Sequence, residues 1–131
     1  MKAIRVAAGI LFDTEGRVLV TERLGDPAFA GFWEFPGGKI ADGEAPAAAL
    51  RRELSEELGI IAEACDLLMS LEHHYPDRRV SIDFFRVGSW RGIPQGLEGQ
   101  AVRWVSTSEL ADIDLLPADR PVIETLIGPA R

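Results

Sequence analysis

Three glutamates, Glu53, Glu56 and Glu57, stand at i, i+3 and i+4, with Arg51 and Arg52 just before them. On a helix this spacing projects the carboxylates from one face, turned away from the row formed by Leu50, Leu54 and Leu58. Like charges so placed destabilise an isolated helix by about 0.2–0.5 kcal/mol per pair, so the patch calls for a partner of opposite sign. A hard divalent cation is one such partner. Mg²⁺ takes oxygen ligands, keeps several waters and completes its shell with a few carboxylates and the oxygens of a phosphate. A solvated acidic face balanced by Arg51 and Arg52 is the other reading, and the three glutamates alone do not separate the two.

Other residues extend the possible chemistry. Arg23 ends an apolar stretch and Lys39 follows the pair Gly37-Gly38, positions from which a cation can reach an anionic ligand; ordinary surface charge is the alternative. Phe35 could stack on a base or, beside Trp33, belong to the core. His73 and His74 are adjacent, so on a strand they point to opposite faces and cannot form a paired ligand site; both read as surface residues. Cys65 is the only cysteine, which excludes an internal disulfide, fits a reducing compartment such as the cytoplasm and suggests an inert buried thiol.

The elements that must position these groups follow from periodicity and punctuation. Ile4–Phe12 and Arg17–Arg23 read as two strands joined through Asp13-Thr14-Glu15-Gly16. A looser stretch, Leu24–Phe32, leads to Trp33-Glu34-Phe35 and the breaker Pro36-Gly37-Gly38, where glycine lets backbone approach a ligand closely. The clearest helix covers Pro46–Leu58: proline suits its first turn, the leucines recur at i, i+4, and Gly59 stops it. Leu67–Glu72 and Val80–Val87 are further strands around the turn Tyr75-Pro76-Asp77, and Ala101–Val105 is another. Ser106 and Glu109 are spaced as a capping box for a short helix, and Pro121–Ile127 reads as a terminal one. This order lacks regular βαβ alternation, so an α/β chain of α+β type is expected, with a mixed sheet flanked by helices.

A chain of 131 residues, 47% apolar and 27% charged, is expected to fold as a single domain over 1–131. Its net charge of −7 opposes the phosphate backbone of DNA or RNA, so no polymeric nucleic-acid partner is expected. A small anion can still bind where a metal or an arginine reverses the field locally. The N-terminal residues Met1–Arg5 open no long apolar run, so neither export nor a membrane partner is expected.

From Gly38 the chain reads Gly38-x5-Glu44-x7-Arg52-Glu53-Leu54-x-Glu56-Glu57-x-Gly59-Ile60, and all nine defined positions match the box of the Nudix hydrolase family. The sequence resembles the MutT-like branch of that family along nearly its whole length. The resemblance is carried also by Trp33-Glu34-Phe35-Pro36-Gly37-Gly38-Lys39-Ile40, Tyr75-Pro76-Asp77-Arg78, Leu97-Glu98-Gly99-Gln100 and Leu116-Pro117-Ala118-Asp119-Arg120-Pro121. It implies a Nudix fold, a mixed β-sheet sandwiched between α-helices, with the box (38–60) as a loop-helix-loop metal site.

By the same resemblance, Glu53, Glu56, Glu57, Glu98 and the carbonyl of Gly37 serve Mg²⁺, with Mn²⁺ as an alternative. Arg52 orients Glu53, Glu44 supports the box, and Glu53 or Glu98 takes the proton of an attacking water. Substrate contacts fall at Arg23, Glu34, Phe35, Pro36, Gly37, Gly38, Lys39, Arg78 and Asp119. The implied activity is hydrolysis of 8-oxo-dGTP to 8-oxo-dGMP and pyrophosphate, by a monomer, which removes an oxidised nucleotide from the DNA precursor pool and so averts mutation.

The chain departs from that branch at Asp119, where an asparagine is typical. The oxidised guanine presents an N7 hydrogen and an O6 acceptor, and one amide satisfies both. An ionised aspartate satisfies only the first and leaves an opposed pair, at a cost of about 1–3 kcal/mol. A burial-raised pKa that keeps Asp119 protonated would restore the donor. Alternatively, the carboxylate accepts from an exocyclic amine such as cytosine N4, which would favour CTP or a methylated dCTP. A reading of another class, a non-catalytic base-reading module of Nudix type, is disfavoured by the complete acidic set and the charge of −7.

Overall fold

The computed structural model describes residues 2–127. Seven strands and two helices occur in the order β1 (Lys2–Leu11), β2 (Val18–Glu22), β3 (Trp33–Glu34), β4 (Gly37–Lys39), α1 (Pro46–Leu58), β5 (Ile61–Tyr75), β6 (Arg78–Arg91), β7 (Val102–Val105) and α2 (Val122–Ile127), with 3-10 turns at Pro27–Phe29 and Glu109–Ala111. The first sheet is ordered β4-β1-β6-β5 and the second β3-β2-β7. β1 and β6 run parallel and every other strand pair is antiparallel, so the mixed character expected from the element order is present.

Strand β1 is covered on both faces because its alternation divides two apolar sets. Ala7 and Leu11 join Leu50, Leu54 and Leu58 of α1, whereas Ala8 and Ile10 join Phe84 and the α2 residues Val122 and Ile123. Helices thus lie on opposite sides of this strand. Helix α1 has the bounds its sequence pattern predicts: Pro46 occupies the first turn, and Gly59 closes the helix at φ 70° with its N–H donating to Ser55 O. No helix among the described residues is long and apolar enough to cross a membrane.

Three local expectations need correction. The turn after β1 forms, with Asp13 Oδ1 accepting from Glu15 N and Arg17 N, but the flanking strands are not a hairpin. Apart from one bridge, Phe12 to Val18, β2 leaves for the second sheet. It can do so because Val18 and Val20 enter one core and Leu19 the other. The supposed breaker at Gly37-Gly38 is itself β4, paired with Ala8 and Ala7 of β1. A side chain at Gly37, whose φ is +152°, would overlap Ala7 O and Ala8 Cα, so only glycine permits this approach. Finally, β5 is far longer than Leu67–Glu72. Register irregularities between Ala62 and Met69 interrupt its alternation and hide its first half.

Candidate active site

Helix α1 and strand β4 meet at the centre of the site. Arg52 forms a two-pronged bond to Glu44, Nε to Oε2 and Nη2 to Oε1, both 2.9 Å. The same guanidinium donates through Nη1 to Glu53 Oε1 at 2.9 Å and through Nη2 to Lys39 O at 3.0 Å. Glu56 Oε2 lies 3.5 Å from Nη1. One planar cation therefore ties the loop before α1, the end of β4 and the helix face together, a task suited to the fixed fork of arginine. Its guanidinium beside Glu44, with help from Ala41 N–H, holds that carboxyl down to about 2. Gly38 is equally specific: a Cβ there would fall on the Glu53 carboxyl group, so its absence lets that carboxylate lie against the β4 backbone.

Glu57, half-buried on the same helix face, is the strained member. Burial, reinforced by the charges of Glu53, Glu98 and Glu34, pushes its carboxyl up to about 8, with Gly37 N–H acting in the opposite sense. Acids from α1, from β3 and from the loop before β7 thus share one electrostatic neighbourhood. Among the described residues no three of them form a ready-made cage for an ion. The donor set nonetheless suits a hard cation that keeps waters and takes part of its shell from phosphate, since such an ion needs few protein oxygens. Glu98 sits on a loop docked to the end of α1 through Leu97 N to Glu57 O, 3.0 Å, and Gln95 N to Leu58 O, 3.1 Å.

Beside these acids opens a cleft of about 470 Å³. Gly37, Gly38 and Lys39 line one part of it, Arg23 and Glu34 another, and Asp119, Tyr75 and Arg78 another. Arg23 is not a free cation, because Nη1 donates to Glu34 Oε1 at 3.1 Å. Its Nε, however, is buried without a hydrogen-bond partner, the only such side-chain atom found among the described residues. Burial raises the Glu34 carboxyl above its usual range, against the pull of Arg23. Arg78 lies over the Tyr75 ring, 4.8 Å from its centroid.

Asp119 is 5% exposed. Its Oδ2 accepts from Phe35 N at 3.0 Å, and burial pushes its carboxyl up to about 7 despite that bond and the charge of Arg23. Phe35, for which stacking and core roles stood open, is 3% exposed and meets Phe84 edge-on at 6.2 Å. Its ring is core and its backbone is the polar contact. Pro36 is buried beside it. His74 is exposed and pairs with Glu72, while His73 packs on Tyr75 from the other strand face. Cys65 is half-buried. Sequence reasoning did not single out Phe29, which lines the cleft and meets Tyr75 at 5.8 Å, nor the buried side chain of Gln100. Phe29 lies in a stretch without periodicity, and a buried glutamine carries no compositional mark.

The NUDIX domain signature matches residues 2–126. The chain belongs to the Nudix family. The 8-oxo-dGTP diphosphatase of Escherichia coli (strain K12) is 41% identical over 126 residues, covering 96% of this chain and 98% of that one. The CTP pyrophosphohydrolase of the same organism is 36% identical over 128 residues, covering 98% and 94%. A solved MutT structure, from a study of the Aliivibrio salmonicida and Vibrio cholerae proteins, superposes with a TM-score of 0.81 at 34% identity and covers 97% of this chain and 98% of that one. The Nudix fold expected from the box is therefore present, in a family of hydrolases that act on phosphoanhydride bonds and generally use divalent metal ions.

Proposed function

We propose that this Nudix hydrolase converts 8-oxo-dGTP to 8-oxo-dGMP and pyrophosphate, as a cytoplasmic monomer acting on free nucleotides and not on polymeric nucleic acid. The observation that carries this reading is the cleft that leads from the β4 glycines, against which Glu53 lies, to the buried carboxyl of Asp119. Likeness along the whole chain to an 8-oxo-dGTP diphosphatase supports it.

Bound Mg²⁺, or Mn²⁺ in its place, would neutralise the triphosphate and lower the pKa of a water. Glu53, Glu56, Glu57, Glu98 and the Gly37 carbonyl are the groups to hold it. Arg52, fixed by Glu44, holds Glu53 in place. Water adds to the β-phosphorus, the bond from that phosphorus to the α-phosphate oxygen breaks, and Glu53 or Glu98 takes the proton. Arg23, with a buried N–H unclaimed, and Lys39 meet the anionic end of the nucleotide, while Glu34 and Arg78 border its path.

At the base, Asp119 in its protonated form offers what an asparagine would. Oδ1–H donates to O6, while Oδ2, already accepting from Phe35 N–H, has a second lone pair for the N7 hydrogen. Near-complete burial favours that form. A second reading rests on the same residue: ionised Asp119 accepts from an exocyclic amine, which suits CTP or a methylated dCTP, and a CTP pyrophosphohydrolase is among the relatives. A panel of 8-oxo-dGTP, dGTP, CTP and 5-methyl-dCTP, run on the parent and on Asp119→Asn, separates them. The oxidised purine should lead in both proteins; CTP leading in the parent and losing its lead in the variant would establish the second reading instead.

A further inference from the structure

The loop carrying Glu98 has no regular structure, yet it is bracketed at both ends. At its exit, Ala101 N donates to Glu22 Oε1 at 3.0 Å and Ala101 O accepts from Glu22 N at 2.9 Å. Within it, the side chain of Gln100 turns inward and is 8% exposed. Gln100 Nε2 donates to Glu57 O at 3.1 Å, and Gln100 Oε1 accepts from Glu98 N at 2.9 Å. A reversed amide would set oxygen against the Glu57 carbonyl and N–H against the Glu98 N–H, so the site permits one orientation only. Gly96 lies so close that a Cβ there would overlap Gln100 O, which packs the loop backbone against itself. Glu57 O is one of the last carbonyls of α1, without a partner inside the helix, and it accepts from both Leu97 N and Gln100 Nε2. A single side chain therefore links the backbones of two acidic residues that come from separate segments.

We propose that Gln100 is the positioning residue that fixes Glu98 relative to Glu57 and so sets the affinity of the acidic site for its divalent ion. This rests on the reading of Glu98 as a metal-facing carboxylate. Gln100 touches neither ion nor substrate in this scheme; it acts through Glu98. Partners that orient metal ligands are typically worth 10- to 100-fold in affinity. The chemical requirement is an uncharged donor and acceptor on one rigid group, at the length of a glutamine.

The test is Mn²⁺ binding to the nucleotide-free protein, read by electron paramagnetic resonance of the free ion, for the parent, Gln100→Met, Glu98→Gln and the double variant. Methionine keeps the volume and removes both hydrogen bonds, and melting curves verify that each protein is folded; Gln100→Glu, which keeps the acceptor and loses the donor, replaces it if the methionine variant does not melt cooperatively. Gln100→Met should weaken Mn²⁺ binding ~10-fold, and the double variant should bind no more weakly than Glu98→Gln alone, since a residue acting through Glu98 has nothing left to position. Glu98→Gln weakening the site while the Gln100 variant binds like the parent, with or without a lower Tm, would overturn the positioning role alone. Losses that multiply in the double variant would overturn it as well. Parent-like binding by Glu98→Gln would overturn the metal-facing reading of Glu98 and the proposal together.

Discussion

Replacing Asp119 by asparagine tests the chemistry of the base pocket without any substrate. The folded carboxyl stands at about 7 against an ordinary 3.8, a rise caused mainly by burial. A raised pKa means that the folded protein binds this proton more tightly than the unfolded chain does. The resulting stabilisation is present in full below pH 3.8, declines as pH rises, and is gone once pH passes about 7. Three units correspond to a contribution on the order of 4 kcal/mol over that window. For a domain of this size that is a Tm change on the order of 10 °C. Asparagine has nearly the shape of the protonated acid and does not titrate. The difference in Tm between variant and parent should therefore be small near pH 4, grow in favour of the variant up to pH 7, and stay level to pH 9. Calorimetry or thermal melts on both proteins across this range provide the readout, and taking the difference cancels other titrating groups such as Glu57. A difference that stays flat from pH 4 to pH 9 would refute the burial-raised pKa and, with it, the protonated donor assigned to O6.

The β4 glycines should separate cleanly. Gly38→Ala displaces only the Glu53 carboxylate, so it should weaken Mn²⁺ binding ~10-fold while costing less than about 1 kcal/mol of stability, whereas Gly37→Ala strikes the β1 backbone at a positive φ and should cost at least about 2 kcal/mol. Equal Tm losses in the two would contradict the placement of Glu53; denaturant melts and Mn²⁺ titrations decide it. Glu44→Gln loses charge from its paired contact with Arg52 and should lower kcat ~10- to 100-fold. Because Glu44 sits at about 2 and is ionised throughout, that loss should be constant from pH 6 to 10, and a pH-dependent recovery of the rate would count against it.

Much of the molecule was legible because local chemistry and tertiary demand agree. Pro46, the leucine row and Gly59 specify α1 with correct ends, and the box residues along it fall where one helix face requires. Ser106 and Glu109 make the reciprocal bonds that their spacing implies, Ser106 N to Glu109 Oε1 at 3.0 Å and Glu109 N to Ser106 Oγ at 3.2 Å, although they cap only a 3-10 turn. What escaped was non-local. A turn after β1 says nothing about which sheet receives β2, since Val18–Val20 is apolar on both faces. The pairing of Arg23 with Glu34 joins residues eleven apart across strands, so an arginine that reads as free is in fact engaged. Gln100 sits in a segment that sequence similarity flags, but its burial and its two bonds exist only once the loop folds onto α1.

The central claim is most directly tested by competition. An equimolar mixture of 8-oxo-dGTP and dGTP, incubated with the protein and Mg²⁺ and resolved by chromatography, gives the ratio of kcat/KM values from the two product curves. The account predicts 8-oxo-dGMP and pyrophosphate appearing at least ~100-fold faster per substrate than dGMP, since a base pocket leaving one polar group unpaired loses about 1–3 kcal/mol per mismatch. Equal consumption of the two nucleotides, or release of inorganic phosphate in place of pyrophosphate, would contradict it.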